Sequence, residues 1–434
     1  MLTHDNLLCN TEAIANRLAV TQQDIFYSWM PLTHDMGMIA FHLTPFLSQI
    51  NHSIMSTNAL IKSPALWMIK AQEHGATVLG SPNFGYKLLL TAYKPKVAEG
   101  WDLSKIRVIL NGAEPISIEL CHRFVQEMGA YGLPNTAILN AYGLAEGSVG
   151  VSIKNPDEPL HGICIDRRIV GIGEQIQEIT DESQHAVVFA EVGYPIDYVS
   201  IRISNEKSEK LPERVIGQIQ IKGRSVTSGY YRNEAATKKA VLQDGWLDTG
   251  DLGFMSEGRL YVTGRMKDII FVNGKNYYPH DIERISEGVE GVELGKVAVV
   301  GLHNREEQRE DIVVFVQYKR KVEQFAEIVV QLKKVINLKI GIEPALVLPI
   351  RSIPKTTSGK VQRYQLAEML VNGEFDTLIA EVNSHVAKQT SSIQIAGPRN
   401  EIEQALLKLW CELLNTERIG IHDNFFEIGG SSSC

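Results

Sequence analysis

The sequence predicts an α/β large domain with parallel sheet layers and a β subdomain. A small α+β domain and a short helical C-terminal domain follow. Three observations carry this expectation. Short apolar runs alternate with amphipathic stretches through the first half. The chain turns strand-rich after Leu211, and a polar stretch at 384–397 precedes a last amphipathic helix. A length of 434 residues exceeds one ordinary hydrophobic core, so two or three domains are expected. The boundaries read as 1–266 for the large domain, 267–383 for the small one, 384–397 for a linker and 398–434 for the last segment.

The elements follow from local pattern. Arg107–Leu110 reads as a strand. Ile116–Gly129 reads as a helix with its apolar face at Leu120, Phe124, Val125 and Met128, closed by Gly129, Gly132 and Pro134. Ala137–Leu139 reads as the next strand. Strand, helix, strand implies a parallel sheet, and ligands of such sheets sit at the carboxyl ends of the strands. Asn111–Pro115 and Asn140–Glu146 fall at those ends. Leu211–Tyr230 reads as strands and turns, and Gly253–Tyr261 as a hairpin. The small domain has strands near Ile269–Val272, Lys296–Val300 and Asp311–Tyr318, a helix near Gln324–Val335 and a strand near Ala345–Leu348. The polar composition of 384–397 suits a linker. A helix then begins at Asn400 with Glu403 as capping-box partner and a buried stripe of Ile402, Leu406, Leu409, Trp410 and Leu413.

Composition excludes several classes. Hydrophobic content of 44% and charged content of 22% describe a globular chain. A net charge of -8 gives no general reason to bind nucleic acid or an anionic membrane. The five cysteines are scattered without CxxC or metal-ligand spacing, which fits a reducing compartment and argues against structural zinc. Met1–Asn10 has neither a basic nor an apolar leader pattern. The apolar stretch Met36–Ile50 is broken by His42, Thr44, Pro45 and Gln49, so it falls short of the roughly 20 apolar residues of a membrane span. A cytoplasmic protein is expected.

Four motifs carry chemistry. In Asn140–Glu146, an aromatic at Tyr142 followed by Gly143 suits a flat base stacked on the ring, and Glu146 suits a Mg²⁺ bridging phosphates. The same residues also suit a strand-end turn with a solvated glutamate. Asp251 follows the glycine turn at Gly250 and can accept both hydroxyls of a ribose, or simply be a turn aspartate. Arg265 offers a guanidinium to ribose or phosphate oxygens, or an ordinary ion pair. Lys360 lies on a small, hydroxylated loop, Pro354–Arg363, able to stabilise charge developing on a phosphate or to stay solvated.

Taken in order, YGLAE, TGD, GRMKD and TTSGK resemble the motif series of the adenylate-forming superfamily over residues 1–383. The finer resemblance is to fatty acyl-AMP ligases and related loading domains of polyketide and nonribosomal peptide synthetases. Met30–Gly37, Tyr142–Glu146, Gly274–Glu283 and Ser358–Arg363 carry it. Ala145 stands where many superfamily members have threonine, as in these ligases, and the stretch Val151–Val192 resembles their extra segment. His280 and Thr33 depart from the Gln and Tyr usual in them, which bears on the acyl substrate.

The resemblance implies roles. Tyr142 would stack on adenine, within a nucleotide site also formed by Gly112, Ala113, Glu114, Asn140 and Gly143; Asp251 and Arg265 would hold the ribose. Glu146 would serve Mg²⁺, Lys360 would contact the carboxylate and α-phosphate, His34 would sit by the acyl pocket and Lys267 would be the hinge. Asp423–Ser432 resembles the attachment motif of carrier proteins, which makes 398–434 the start of a carrier domain with 4'-phosphopantetheine on Ser432. The implied reaction is activation of a carboxylic acid by ATP, followed by transfer of the acyl group to a carrier thiol and on to downstream synthase modules. In the family a triphosphate loop precedes the LTHDNLL found here and further carrier helices follow the serine. The expectation is therefore a fragment of a longer synthase. Acyl-CoA synthetase and an AMP- or partner-binding fragment without turnover are the alternatives.

Overall fold

A computed structural model describes residues 1–180, 183, 185–272, 275–304, 309–356, 360–391, 397–413 and 419–420. The chain forms two compact units. The first is Met1–Lys267 with Thr357–Lys360; the second is Asp268–Thr356 with the chain from Val361 on.

The first unit is built on a seven-stranded sheet. Its strands run in the order His52–Ile54, Phe26–Ser28, Val78–Gly80, Val108–Asn111, Ile138–Tyr142, Ser152–Ile153 and Tyr194–Pro195. The first five pair in parallel and the last two antiparallel. Every residue of Val108–Asn111 is buried, as expected for a strand covered on both faces. The helix expected from Ile116 begins at Ile118, because the Ser117 hydroxyl accepts from the Leu120 N–H and caps it there. It buries Leu120, Cys121, Phe124 and Met128, while Val125 is half-buried. Phe124 sits against Tyr86 with ring centroids 4.6 Å apart, and Trp67 packs on both rings.

An antiparallel sheet of Val199–Ser204, Gly217–Gly223, Leu247–Ser256 and Arg259–Arg265 forms the β subdomain. The hairpin is longer than its sequence pattern indicated. It extends to the Asp251–Arg265 pair, with a register shift between Leu252 and Gly253. Within Val151–Val192, Gly162–Asp166 pairs antiparallel with Ala186–Ala190.

The parallel sheet is tied at its amino-terminal side by Asp24, which is 4% exposed. Its two oxygens accept from Arg107 Nε and Nη2, each at 2.8 Å, and it also accepts from the Thr77 hydroxyl and the Thr21 N–H. Burial opposes ionisation here, but these hydrogen bonds and the Arg107 charge win and hold the carboxyl down to about 2.

In the second unit, Val297–Asn304 pairs antiparallel with Arg309–Gln317, which pairs in parallel with Leu346–Ile350. The period-two alternation of the middle strand feeds two cores. Ile312, Val314 and Val316 pack with Leu332 and Ile336 on one face, and Val313 and Phe315 with Leu366 on the other. The helix expected at Gln324–Val335 is Ala326–Ile340, entered through a tight turn at Val322–Phe325. Helix Pro279–Ser286 carries His280, which burial and the nearby Arg363 and Arg284 push down to about 3, so the imidazole is neutral at pH 7. Glu283 accepts twice from Arg363, each at 2.8 Å.

Two expectations near the C-terminus are corrected. The stretch expected as a linker from 384 starts inside helix Asp376–Ser391. Val382 is buried in the second unit's core and Val386 packs against it, so apolar contact holds the helix as far as Val386. In helix Glu401–Leu413, Asn400 caps the Glu403 N–H at 2.8 Å, but the Glu403 carboxylate accepts from the Arg399 N–H and pairs with its guanidinium. The stripe expected to be buried is not: Ile402 is 73% and Leu413 60% exposed. Ser432 and the motif around it lie outside the described residues. Among the described residues no helix is long and apolar enough to cross a membrane.

Asp24→Asn should lower stability by on the order of 2 kcal/mol at neutral pH. A carboxyl with a depressed folded pKa contributes fully above its unfolded value and loses that contribution as pH falls. The gap between parent and variant in urea midpoints should therefore hold above pH about 4 and close toward pH 2.

Candidate nucleotide and acyl site

The carboxyl ends of the parallel strands supply the floor of the site. Asn111 and Asn140 are register partners on adjacent strands and are fully buried. Asn111 Nδ2 donates to Asn140 Oδ1 at 3.1 Å, which leaves Asn111 Oδ1 and Asn140 Nδ2 without hydrogen-bond partners among the described residues. A buried unpaired donor beside a buried unpaired acceptor is costly unless something completes them. Just beyond Asn111, Gly112 and Ala113 line a pocket, and Ala113 holds a left-handed φ of 73°, uncommon for a residue with a side chain. Glu114 faces elsewhere: its Oε1 accepts from the Phe84 N–H at 2.6 Å, at the first turn of helix Asn83–Ala92.

Beyond Asn140, Tyr142 and Gly143 line the same pocket. A Cβ on Gly143 would lie 1.6 Å from the Val149 carbonyl oxygen. The close approach that glycine permits here is thus to the protein's own returning chain. The Tyr142 hydroxyl donates to Asp251 Oδ2 at 2.7 Å. Burial and the Asp251 charge raise its pKa well above the ordinary phenol value, so it remains a donor.

Asp251 is 7% exposed and pairs across the hairpin with Arg265, whose Nε donates to Asp251 Oδ1 at 3.0 Å. Gly250, with φ of 72°, supplies the bend before it, and the Thr249 hydroxyl accepts the Asp251 N–H. Each carboxylate oxygen still has acceptor capacity, since two oxygens offer about four lone-pair sites. Arg265 lines the pocket with about half its side chain exposed.

Glu146 also lines the pocket, on the short turn Ala145–Gly147. Its Oε1 accepts from the Tyr230 hydroxyl at 2.7 Å, and that bond with burial pushes the phenol up to about 12. Ser148, two residues on, holds φ 71° and ψ -71°, a strained γ-turn conformation, and its hydroxyl donates to the Ser225 carbonyl. Among the described residues no cluster of three or more His, Cys, Asp or Glu is assembled for a metal.

The opposite wall comes from His34, Asp35, Met36 and Ala40. Met36–Leu43 is a π-helix capped by Asp35, which accepts the Met36 N–H at 2.8 Å. His34 Nδ1 lies 2.7 Å from Asp35 Oδ1. Burial raises the Asp35 pKa, but the His34 contact, the Met36 N–H and the Lys360 charge bring it below its ordinary value. Lys360, grouped with the first unit, lines the pocket as well. Lys267 is exposed in the turn Met266–Asp268 and is the last residue before the second unit.

The structure thus brings His34, Gly112, Ala113, Tyr142, Gly143, Glu146, Arg265 and Lys360 to one pocket. Asp251 is tied to it through Tyr142 and Arg265, and Asn140 lies beneath. Asn111 and Asp35 lie within motifs of the sequence but carry no role there, and Tyr230 has no signal in it at all. Asn111 was accessible by aligning the two strand ends, but Tyr230 lies 84 residues from Glu146 with no local signal.

Residues 1–231 match the family described as AMP-binding enzyme, and the chain belongs to that family. It is similar to the 4-hydroxyphenylalkanoate adenylyltransferase of Mycobacterium tuberculosis, with 30% identity over 88% of this chain and 64% of that protein. The chain spans 64% to 66% of the length of the first curated relatives it matches. Its fold resembles the solved structure of McyG A-PCP complexed with phenylalanyl-adenylate, with a TM-score of 0.83 and 30% identity, over 100% of this chain and 65% of that one. A structure from a study of fatty acyl-adenylate ligases of E. coli and L. pneumophila gives a TM-score of 0.79 and 31% identity, over 86% and 67%. The adenylation-domain fold, mixed α/β with a parallel sheet and a β-rich subdomain, is shared with these structures.

Gly143→Ala should destabilise the protein by roughly 1–3 kcal/mol, because a backbone carbonyl cannot move aside as a side chain can. A chemical-denaturation midpoint indistinguishable from the parent's would contradict this reading of the turn.

Proposed function

We propose that this chain activates a carboxylic acid, fatty or related, with ATP as an acyl-adenylate. It then passes the acyl group to a phosphopantetheine carrier thiol, as the loading part of a polyketide or nonribosomal peptide synthase. The observation that carries the first step is the locked trio of Tyr142, Asp251 and Arg265 beside a pocket also lined by Glu146 and Lys360.

The roles follow from the donors and acceptors present. Asn111 and Asn140, buried and hydrogen-bonded to each other beneath the pocket, brace the strand ends that present Gly112, Ala113, Tyr142 and Gly143 to a base. Asp251 retains acceptor capacity for ribose hydroxyls, and Arg265 orients it. A carboxylic acid has a pKa of about 4–5, so it arrives ionised and needs no general base. Catalysis is then positioning plus neutralisation of charge at the α-phosphate, which Lys360 supplies. Glu146 fits a Mg²⁺ site, because that ion is commonly held by one or two carboxylates with substrate phosphates completing its shell. When bound, Mg²⁺ would draw charge from the phosphates as pyrophosphate leaves.

For the second step, Lys267 closes the first unit, which supports its role as a pivot between two postures. A carrier as acceptor is supported by the likeness to the McyG A-PCP structure and by the carrier-like motif ending at Ser432. Phosphopantetheine there would offer the thiol that receives the acyl group as a thioester.

Carboxylate-dependent ATP–pyrophosphate exchange, measured across a panel of acids, tests the activity. Exchange followed by acylation of a carrier is expected. Acylation of free coenzyme A in preference to a carrier would assign an acyl-CoA synthetase instead, and absence of exchange would leave a binding role. Lys360→Ala should lower exchange by roughly 10²–10³-fold while thioester formation from supplied acyl-adenylate is largely spared. Asp251→Ala should raise the apparent KM for ATP by about tenfold, equivalent to about 1.4 kcal/mol.

A further inference from the structure

We infer that Tyr230 is a positioning residue for the acidic centre of the site: it fixes the Glu146 carboxylate in the orientation that receives the divalent cation. The inference rests on the metal role given to Glu146 above. Glutamate carries three side-chain torsions, so a carboxylate at the edge of an open pocket samples many orientations unless a neighbour holds it. Here the neighbour is built in. Tyr230 OH donates to Glu146 Oε1 at 2.7 Å, and Tyr230 itself is not part of the pocket lining, so the bond reaches Glu146 from outside the cavity that Glu146 lines.

The loop that carries Tyr230 is fastened to the same turn at two other points. The Thr227 N–H donates to the Glu146 carbonyl at 2.7 Å, and the Ser148 hydroxyl donates to the Ser225 carbonyl at 2.8 Å. Tyr230 is pinned in turn by its own N–H, which donates to the Thr237 hydroxyl at 2.9 Å. Backbone and side chain of Glu146 are therefore held by one loop, more than 70 residues on in sequence, as the Ser148–Ser225 separation of 77 shows. A surface tyrosine that merely satisfied its hydroxyl would not require its loop to grip the backbone of the residue it contacts.

This arrangement leaves Glu146 acceptor capacity for a cation, while one oxygen is held by a neutral donor. Such outer partners of metal ligands set ligand orientation, and their removal commonly costs about 10- to 100-fold in metal affinity.

The test uses the full chain with Tyr230→Phe, which keeps the ring and removes only the donor, and Glu146→Gln as reference. Mn²⁺ binding is followed by electron paramagnetic resonance in the presence of α,β-methylene-ATP, and the Mg²⁺ dependence of ATP–pyrophosphate exchange is measured alongside. Tyr230→Phe is expected to weaken Mn²⁺ roughly tenfold, with the larger part of the kinetic effect in the apparent Mg²⁺ constant and an unchanged thermal midpoint. If Glu146→Gln weakens Mn²⁺ and Tyr230→Phe does not, the positioning role is overturned and the reading of Glu146 stands. Loss of exchange in Tyr230→Phe with an unaltered metal constant would likewise overturn it, as a structural effect. If Glu146→Gln leaves Mn²⁺ binding intact, the metal role of Glu146 fails and this inference fails with it.

Discussion

The Asp251 carboxylate is the constraint around which the first unit's site is organised. Arg265 reaches it across the hairpin and Tyr142 reaches it from the end of the parallel sheet. Two sheets of different topology are therefore joined through one buried anion. Removing either partner leaves a buried charge short of a hydrogen bond, which costs more than the bond's net worth when made. The antiparallel hairpin has to end where it does, with Asp251 opposite Arg265, for this to work. The register shift at Leu252 and Gly253 adjusts the ladder next to that pair.

The rest of the site spends conformational strain to reach the same place. Ala113 and Ser148 both hold positive φ without being glycine, and both lie on turns that follow strand ends at the pocket. Asn111 and Asn140 add a buried pair that satisfies only half of its own hydrogen-bonding potential. Strained turns and incomplete polar pairs persist where the surrounding structure over-determines them. Here the surround is a closely packed one: Phe124, Tyr86 and Trp67 behind the strands, and the Asp24–Arg107 fork at their far end.

Much of this was legible in the sequence because it is local. The strand near Val108, the helix after Ser117 and the motifs at 111–115 and 140–146 are contiguous patterns, and the fold they imply is the one observed. The correspondence was weaker wherever a residue's role depends on a distant partner. Glu114 reads as a ligand-facing acid, yet its carboxylate is used by the Phe84 N–H of a helix 30 residues earlier. The polar composition of 384–391 reads as a linker, yet Val382 and Val386 are enough to hold a helix onto a core assembled from strands far upstream. Tyr230 carries no motif at all, and Asp35 lies in a motif that gives it no role of its own. They matter because folding sets them beside Glu146 and His34.

The π-helix Met36–Leu43 forms one wall of the pocket, through Met36 and Ala40. Its end is marked by the Thr44 N–H donating to the Ile39 carbonyl, five residues back. Such a turn holds one residue more than an α-helix of the same rise. Losing that residue would close the wide turn into an ordinary helical one while the flanking turns keep their phase. The shape of this wall is therefore tied to chain length as well as to side-chain identity. A lineage could reshape the cavity by a single codon deletion here, changing what fits without replacing any residue that faces it.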